Sequence, residues 1–68
     1  MNSENIKRSI NINKASEKEL YEIIHIGPIR AQLIVEKRPF RDLYELSNIK
    51  GLGRKRVDDI ILEKVAHI

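Results

Sequence analysis

Ile49-Lys50-Gly51-Leu52-Gly53-Arg54-Lys55-Arg56-Val57 holds an apolar lead, two glycines one residue apart, three consecutive cations and a return to an apolar side chain. It belongs to a longer phrase that occurs twice. Glu19-Leu20-x-x-Ile23-x-x-Ile26-Gly27-x-x-Arg30 reappears 26 residues later as Glu45-Leu46-x-x-Ile49-x-x-Leu52-Gly53-x-x-Arg56. Six positions are identical at that offset: Glu19/Glu45, Leu20/Leu46, Ile23/Ile49, Gly27/Gly53, Arg30/Arg56 and Ile34/Ile60. Ile26/Leu52, Ala31/Val57 and Val35/Ile61 are like for like, so the chain contains an internal duplication. Each copy reads as an amphipathic helix, a glycine-tight turn and a second amphipathic helix that opens near a basic residue. Such a unit offers unpaired backbone N–H groups to an anion.

The flanking residues supply boundaries. Residues 1 to 9 read as a disordered tail, and Ile10 to Ala15 as an extended lead-in to one domain spanning residues 10 to 68. Ser16 with Glu19 three positions on is a capping box, which starts a first helix running to Ile24 with Leu20, Ile23 and Ile24 on one side. Pro28 suits the first turn of a second helix, where its missing N–H is no loss, and that helix must stop before Pro39. Its apolar stripe is Ala31, Ile34 and Val35. Asp42 and Glu45 repeat the capping spacing and start a third helix carrying Leu43 and Leu46. The fourth opens after Gly53 and carries Val57, Ile60, Ile61 and Val65 at helical spacing. Nothing alternates with period 2 for long enough to argue a sheet, so the expected class is all-α: four short helices in two hairpins around one shared core.

Composition limits the partners. With 68 residues and no cysteine, the domain must hold a small core by aliphatic packing alone, because disulfides are excluded. Thirteen Lys and Arg against ten Asp and Glu give a net charge of +3, but Lys50, Arg54, Lys55 and Arg56 place four cations within seven residues, with no acid until Asp58. That local patch points to a polyanion. Cations at a helix N-terminus oppose the helix dipole, so stability alone does not favour them there. Lys37, Arg38 and Arg41 read instead as solvated linker charges, and Tyr21 and Tyr44 as packing at the edge of the core. No signal peptide or membrane span is visible, and a cytoplasmic location with no membrane partner is the expectation.

Ile49 to Val57 resembles the helix-hairpin-helix signature of hydrophobic-x-Gly-hydrophobic-Gly-x-x-basic-small, and Ile24-His25-Ile26-Gly27-Pro28-Ile29-Arg30-Ala31 is similar to a second copy in which His25 stands at the first glycine. Asn11-Ile12-Asn13-Lys14-Ala15-Ser16 ahead of Leu20, and Pro39-Phe40 between the copies, resemble the tandem domain of the competence protein ComEA family. The resemblance covers roughly residues 10 to 65. It implies a SAM-like, tandem helix-hairpin-helix fold and DNA binding without sequence specificity, duplex preferred, within competence or DNA repair. It also implies service to a larger DNA-processing protein or complex, and an extracytoplasmic location if the chain is an excised domain of an anchored competence protein. No cofactor is expected beyond a monovalent cation at a hairpin.

In this reading a glycine at the turn takes positive φ and lets a phosphate approach. The second hairpin then offers the amides of Gly53, Arg54, Lys55 and Arg56, with Lys50, Lys55 and Arg56 adding charge; Gly51 completes the turn. The first offers Gly27, Ile29 and Arg30, since Pro28 has no N–H. The resemblance implies that the two sites, related by a pseudo-twofold, each hold one strand across the minor groove. Such contacts position the protein and read no bases. His25 tolerates a left-handed backbone at a cost of about 1 kcal/mol. Its ring either obstructs a phosphate or donates to it, and obstruction is the expectation.

Two other readings are open. Gly51-Leu52-Gly53-Arg54-Lys55 resembles the hairpin of endonuclease III-type DNA glycosylases, in which a lysine at the Lys55 position attacks the sugar. That chemistry also needs a downstream aspartate and a base pocket between domains, whereas Asp58 and Asp59 share a helix with Lys55, so no catalytic residue is expected. The second alternative is a structural or protein-interaction module that kept this fold and lost DNA contact.

Overall fold

A computed structural model describes residues 8–68; most of the expected disordered tail lies outside them. The elements are a strand β1 (Ile10–Asn11), helix α1 (Glu17–Leu20), helix α2 (Pro28–Lys37), a 3₁₀ helix (Leu43–Asn48), helix α3 (Arg54–Glu63) and strand β2 (Ala66–His67).

The capping box forms as the spacing requires. Glu19 N–H donates to Ser16 Oγ at 3.1 Å, and Ser16 N–H donates to Glu19 Oε1 at 2.9 Å. Helix α1 nevertheless ends at Leu20 instead of Ile24. From there the chain descends through i→i+3 bonds: Ile23 N–H to Leu20 C=O and Ile26 N–H to Ile23 C=O, each 3.1 Å. The second copy does the same. Ile49 N–H donates to Leu46 C=O and Leu52 N–H to Ile49 C=O, both at 2.9 Å, and the expected third helix is a 3₁₀ helix. The cause is the spacing of the repeated phrase. Leu20, Ile23 and Ile26, like Leu46, Ile49 and Leu52, recur every three residues, and 3₁₀ geometry places i and i+3 on one side. All six are buried.

The second helix of each hairpin is a regular ten-residue α-helix. Ala31 and Ile34 on α2, and Val57 and Ile60 on α3, have no exposed surface. Helix α1 packs on α2, the 3₁₀ helix packs on α3, and the two halves contribute to one aliphatic core that also takes in Phe40. Val65, expected on the fourth helix, lies beyond it: Lys64 adopts a left-handed conformation (φ 61°) and ends α3.

Two further expectations are corrected. A small parallel sheet is present, pairing Ile10 with Ala66 and Asn11 with His67. Each strand is two residues long, too short for a period to show. Arg38 is no solvated linker charge, because its guanidinium donates to Ala15 C=O at 2.7 Å and to Ile12 C=O at 3.2 Å. The Asn13 side chain completes the joint, accepting from Phe40 N–H at 2.7 Å and donating to Phe40 C=O at 2.9 Å. The lead-in and the linker are thereby one tied corner. Among the described residues, no helix is long and apolar enough to cross a membrane.

Candidate nucleic-acid interface

The starts of the four helical segments are not treated alike. Ser16 caps α1, and Asp42 Oδ1 caps the 3₁₀ helix by accepting from Glu45 N–H at 3.1 Å, while Glu45 turns back to accept from Arg41 N–H at 2.7 Å. Helices α2 and α3 begin at Gly27 and Gly53, with no side-chain cap and no acid in the first turn. Their first main-chain bonds, Ala31 N–H to Gly27 C=O and Val57 N–H to Gly53 C=O, leave the preceding amides outside the helical ladder. These are the amides of Gly27, Ile29 and Arg30 in one hairpin, and of Gly53, Arg54, Lys55 and Arg56 in the other.

Gly27 and Gly53 do not take the positive φ expected of the turn. Their φ values are −108° and −73°, with extended ψ, and a Cβ built on either would meet nothing within 4 Å. No contact inside the chain requires glycine there. In the two turns the left-handed residues are His25 (φ 69°) and Gly51 (φ 89°), which occupy equivalent places in the two copies. A Cβ on Gly51 would stand 2.7 Å from Arg30 Nη2, so Arg30 of the first hairpin lies against the backbone of the second.

The repeated arginine has a structural task in each copy. Arg30 Nη1 donates to His25 C=O at 2.9 Å, and Arg56 Nη1 donates to Gly51 C=O at 3.3 Å, so each guanidinium serves the carbonyl of the left-handed residue in its own turn. Arg30 is half-buried and Arg56 exposed.

Other predicted residues are partly engaged. Arg54 stands 4.0 Å from Asp58 and over the Tyr44 ring at 5.9 Å from its centroid. Tyr44 and Tyr21 are exposed, contrary to the core-edge expectation. Lys50 and Lys55 are exposed beside the uncapped start of α3. His25 Nε2 lies 2.8 Å from Asp59 Oδ2, and Ile24 N–H donates to Glu63 Oε1 at 2.9 Å, so the first turn is anchored to α3 by two carboxylates. Between the hairpins lies an open groove of about 440 Å³, walled by Pro28, Ile29, Arg30 and Leu33 on one side and by Lys50 and Gly51 on the other. The sequence reading missed this groove and its Pro28 and Leu33 side chains.

The helix-hairpin-helix motif family matches residues 5–63, most of the chain, and the protein belongs to that family. A protein named deoxyribonuclease from Thioalkalivibrio sp. (strain K90mix) is 39% identical over 51 residues, which is 75% of this chain and 14% of that protein. Kinesin-like protein KIN-10C of Oryza sativa subsp. japonica is 37% identical over 62 residues, 84% of this chain and 10% of that protein. The chain thus spans a small fraction of the length of these relatives.

Proposed function

We propose that the domain binds DNA, duplex preferred, by non-sequence-specific contacts of its two hairpins and the N-termini of α2 and α3 with backbone phosphates. One observation carries this reading. Gly27 and Gly53 have ordinary backbone angles and open space where a side chain would sit, at the two helical starts that lack a cap among the four of the described residues. Glycine in that position leaves amides and a positive dipole end accessible to a close anion. Lys50, Lys55 and Arg56 supply charge beside the second hairpin. The deoxyribonuclease similarity supports DNA as the polyanion.

The second hairpin dominates in this mechanism. It has an amide at every first-turn position and several cations, whereas the first has Pro28 and an Arg30 held by internal contacts. In this reading the domain is a binder and not a catalyst; among the described residues, the two acids on the Lys55 helix nearest to it face other partners, Asp58 facing Arg54 and Asp59 facing His25. Within the family we place it with the ComEA-type tandem domains, on the Asn11–Ser16 lead-in and Pro39-Phe40.

Gly53→Val tests the reading directly. Valine accepts the extended backbone of this position, so the fold is expected to persist, checked by circular dichroism and thermal melting. Affinity for a mixed-sequence duplex is expected to fall about 10- to 100-fold, as for losing one hydrogen bond to a charged group. A folded Gly53→Val protein that binds like the parent contradicts the mechanism. A module that lost DNA contact would show no salt-sensitive binding in either form.

A further inference from the structure

The two copies diverge at the groove-lining residues Pro28, Ile29, Leu33 and Lys50 and at the counterparts of these in the other copy. Where the second copy has Lys50, Arg54, Lys55 and Asp59, the first has Ile24, Pro28, Ile29 and Leu33. One half presents charge and the other presents apolar surface at matching places of the same unit. Ile29 is 71% exposed, so it gains little from the fold. It also occupies the first turn of α2, where an acidic or polar side chain would stabilise the helix more. With Pro28 and Leu33 beside it in the groove lining, Ile29 belongs to an apolar patch of the kind that marks a contact site.

The groove gives that contact a shape. Its volume of about 440 Å³ lies within the range of roughly 300–1,000 Å³ common to small-molecule sites. Pro28, Ile29 and Leu33 make an apolar wall, Lys50 stands across from it, and no acid among the described residues lines it. Arg30, fixed by His25 C=O and lying against Gly51, adds a planar guanidinium. Apolar and planar surfaces beside a cation and two uncapped helix starts suit a flat ring joined to a phosphate. A continuous duplex keeps its base faces stacked and offers no such ring; an unpaired nucleotide does.

We propose that this groove seats one unpaired nucleobase of a DNA whose backbone is held at the second hairpin, so that the domain prefers a duplex containing an unpaired nucleotide to a continuous one. This rests on the DNA-binding reading above. The test compares the 68-residue chain on a mixed-sequence duplex and on the same duplex with a single bulged adenine, across a salt series. The bulged duplex is expected to bind about 5- to 100-fold tighter, the gain of stacking one base on a protein surface. Ile29→Ser, at an exposed position that keeps its amide, is expected to bring the ratio of the two affinities close to one. Equal, salt-sensitive binding of both DNAs by the parent overturns this inference and leaves the backbone-binding reading standing. A preference retained in Ile29→Ser places the base elsewhere and also overturns it. Lack of salt-sensitive binding to either DNA overturns both.

Discussion

Gly51 and Gly53 stand two residues apart and are glycine for different reasons. Gly51 sits at φ 89°, with Arg30 so close that a Cβ would meet its guanidinium at 2.7 Å. A side chain there must accept a left-handed backbone and displace Arg30. Gly51→Ala is therefore expected to cost about 1–3 kcal/mol of stability, read by urea denaturation. Gly53 has neither constraint, and Gly53→Ala is expected to keep the stability of the parent or gain a few tenths of a kcal/mol through the unfolded chain. If the two alanines destabilise equally, the division of labour between the glycines is wrong. The sequence alone did not separate them: a motif records that glycine is present and does not say whether backbone angle, a neighbouring side chain or an external ligand demands it. His25 shows the same limit from the other side. Its left-handed backbone was legible from its alignment with Gly51, but the bond from its ring to Asp59 joins residues 34 apart in the chain.

The elements were legible to the extent that their signals are local. Ser16 and Asp42 marked two helix starts, Pro28 marked a third, and the stripes of α2 and α3 gave their buried faces. The first helix of each hairpin departs from the expected α-helix to a different degree: α1 is α-helical but ends at Leu20, and its counterpart is a 3₁₀ helix. Apolar residues at every third position have the 3₁₀ period, and the chain follows it after Leu20 and in the second copy. What remained hidden is non-local: β1 with β2, and the corner where Arg38 and Asn13 tie the lead-in to the linker. These contacts make testable contributions. Leu46→Ala, in the 3₁₀ helix and without exposed surface, is expected to cost about 2–5 kcal/mol. In a domain this small such a loss can prevent folding. Asn13→Ala leaves the N–H and C=O of Phe40 without their partner, at a cost of about 1–3 kcal/mol. Thermal melts resolve both, and an unchanged melt for either variant removes that contact from the account.

At the scale of the molecule, the two copies of a duplicated unit share their inward residues and differ in their outward ones. Both halves keep the apolar phrase that builds the core and the arginine that serves the turn carbonyl, while the side chains facing outward from the two hairpins differ in kind. A net charge of only +3 would not hold a nucleic acid by itself, so attraction must come from where the charges stand. The four cations between Lys50 and Arg56 flank one uncapped helix start, and Arg54 is partly neutralised by Asp58. If the two hairpins together engage about 4 to 6 phosphates, counterion release sets the slope of log affinity against log salt at roughly −3.6 to −5.4. Affinity then falls about 10² to 10³ between 50 and 200 mM salt by the same relation. Lys55→Ala removes a cation that no described acid engages and is expected to reduce the slope by about one while binding weakens evenly across sequences. Arg30→Ala is expected to alter the slope less, because its guanidinium is committed to His25 C=O and to the surface of Gly51. A slope near zero, or a loss from Arg30→Ala equal to that from Lys55→Ala in a protein that still folds, would show that the charge of the second hairpin does not govern binding.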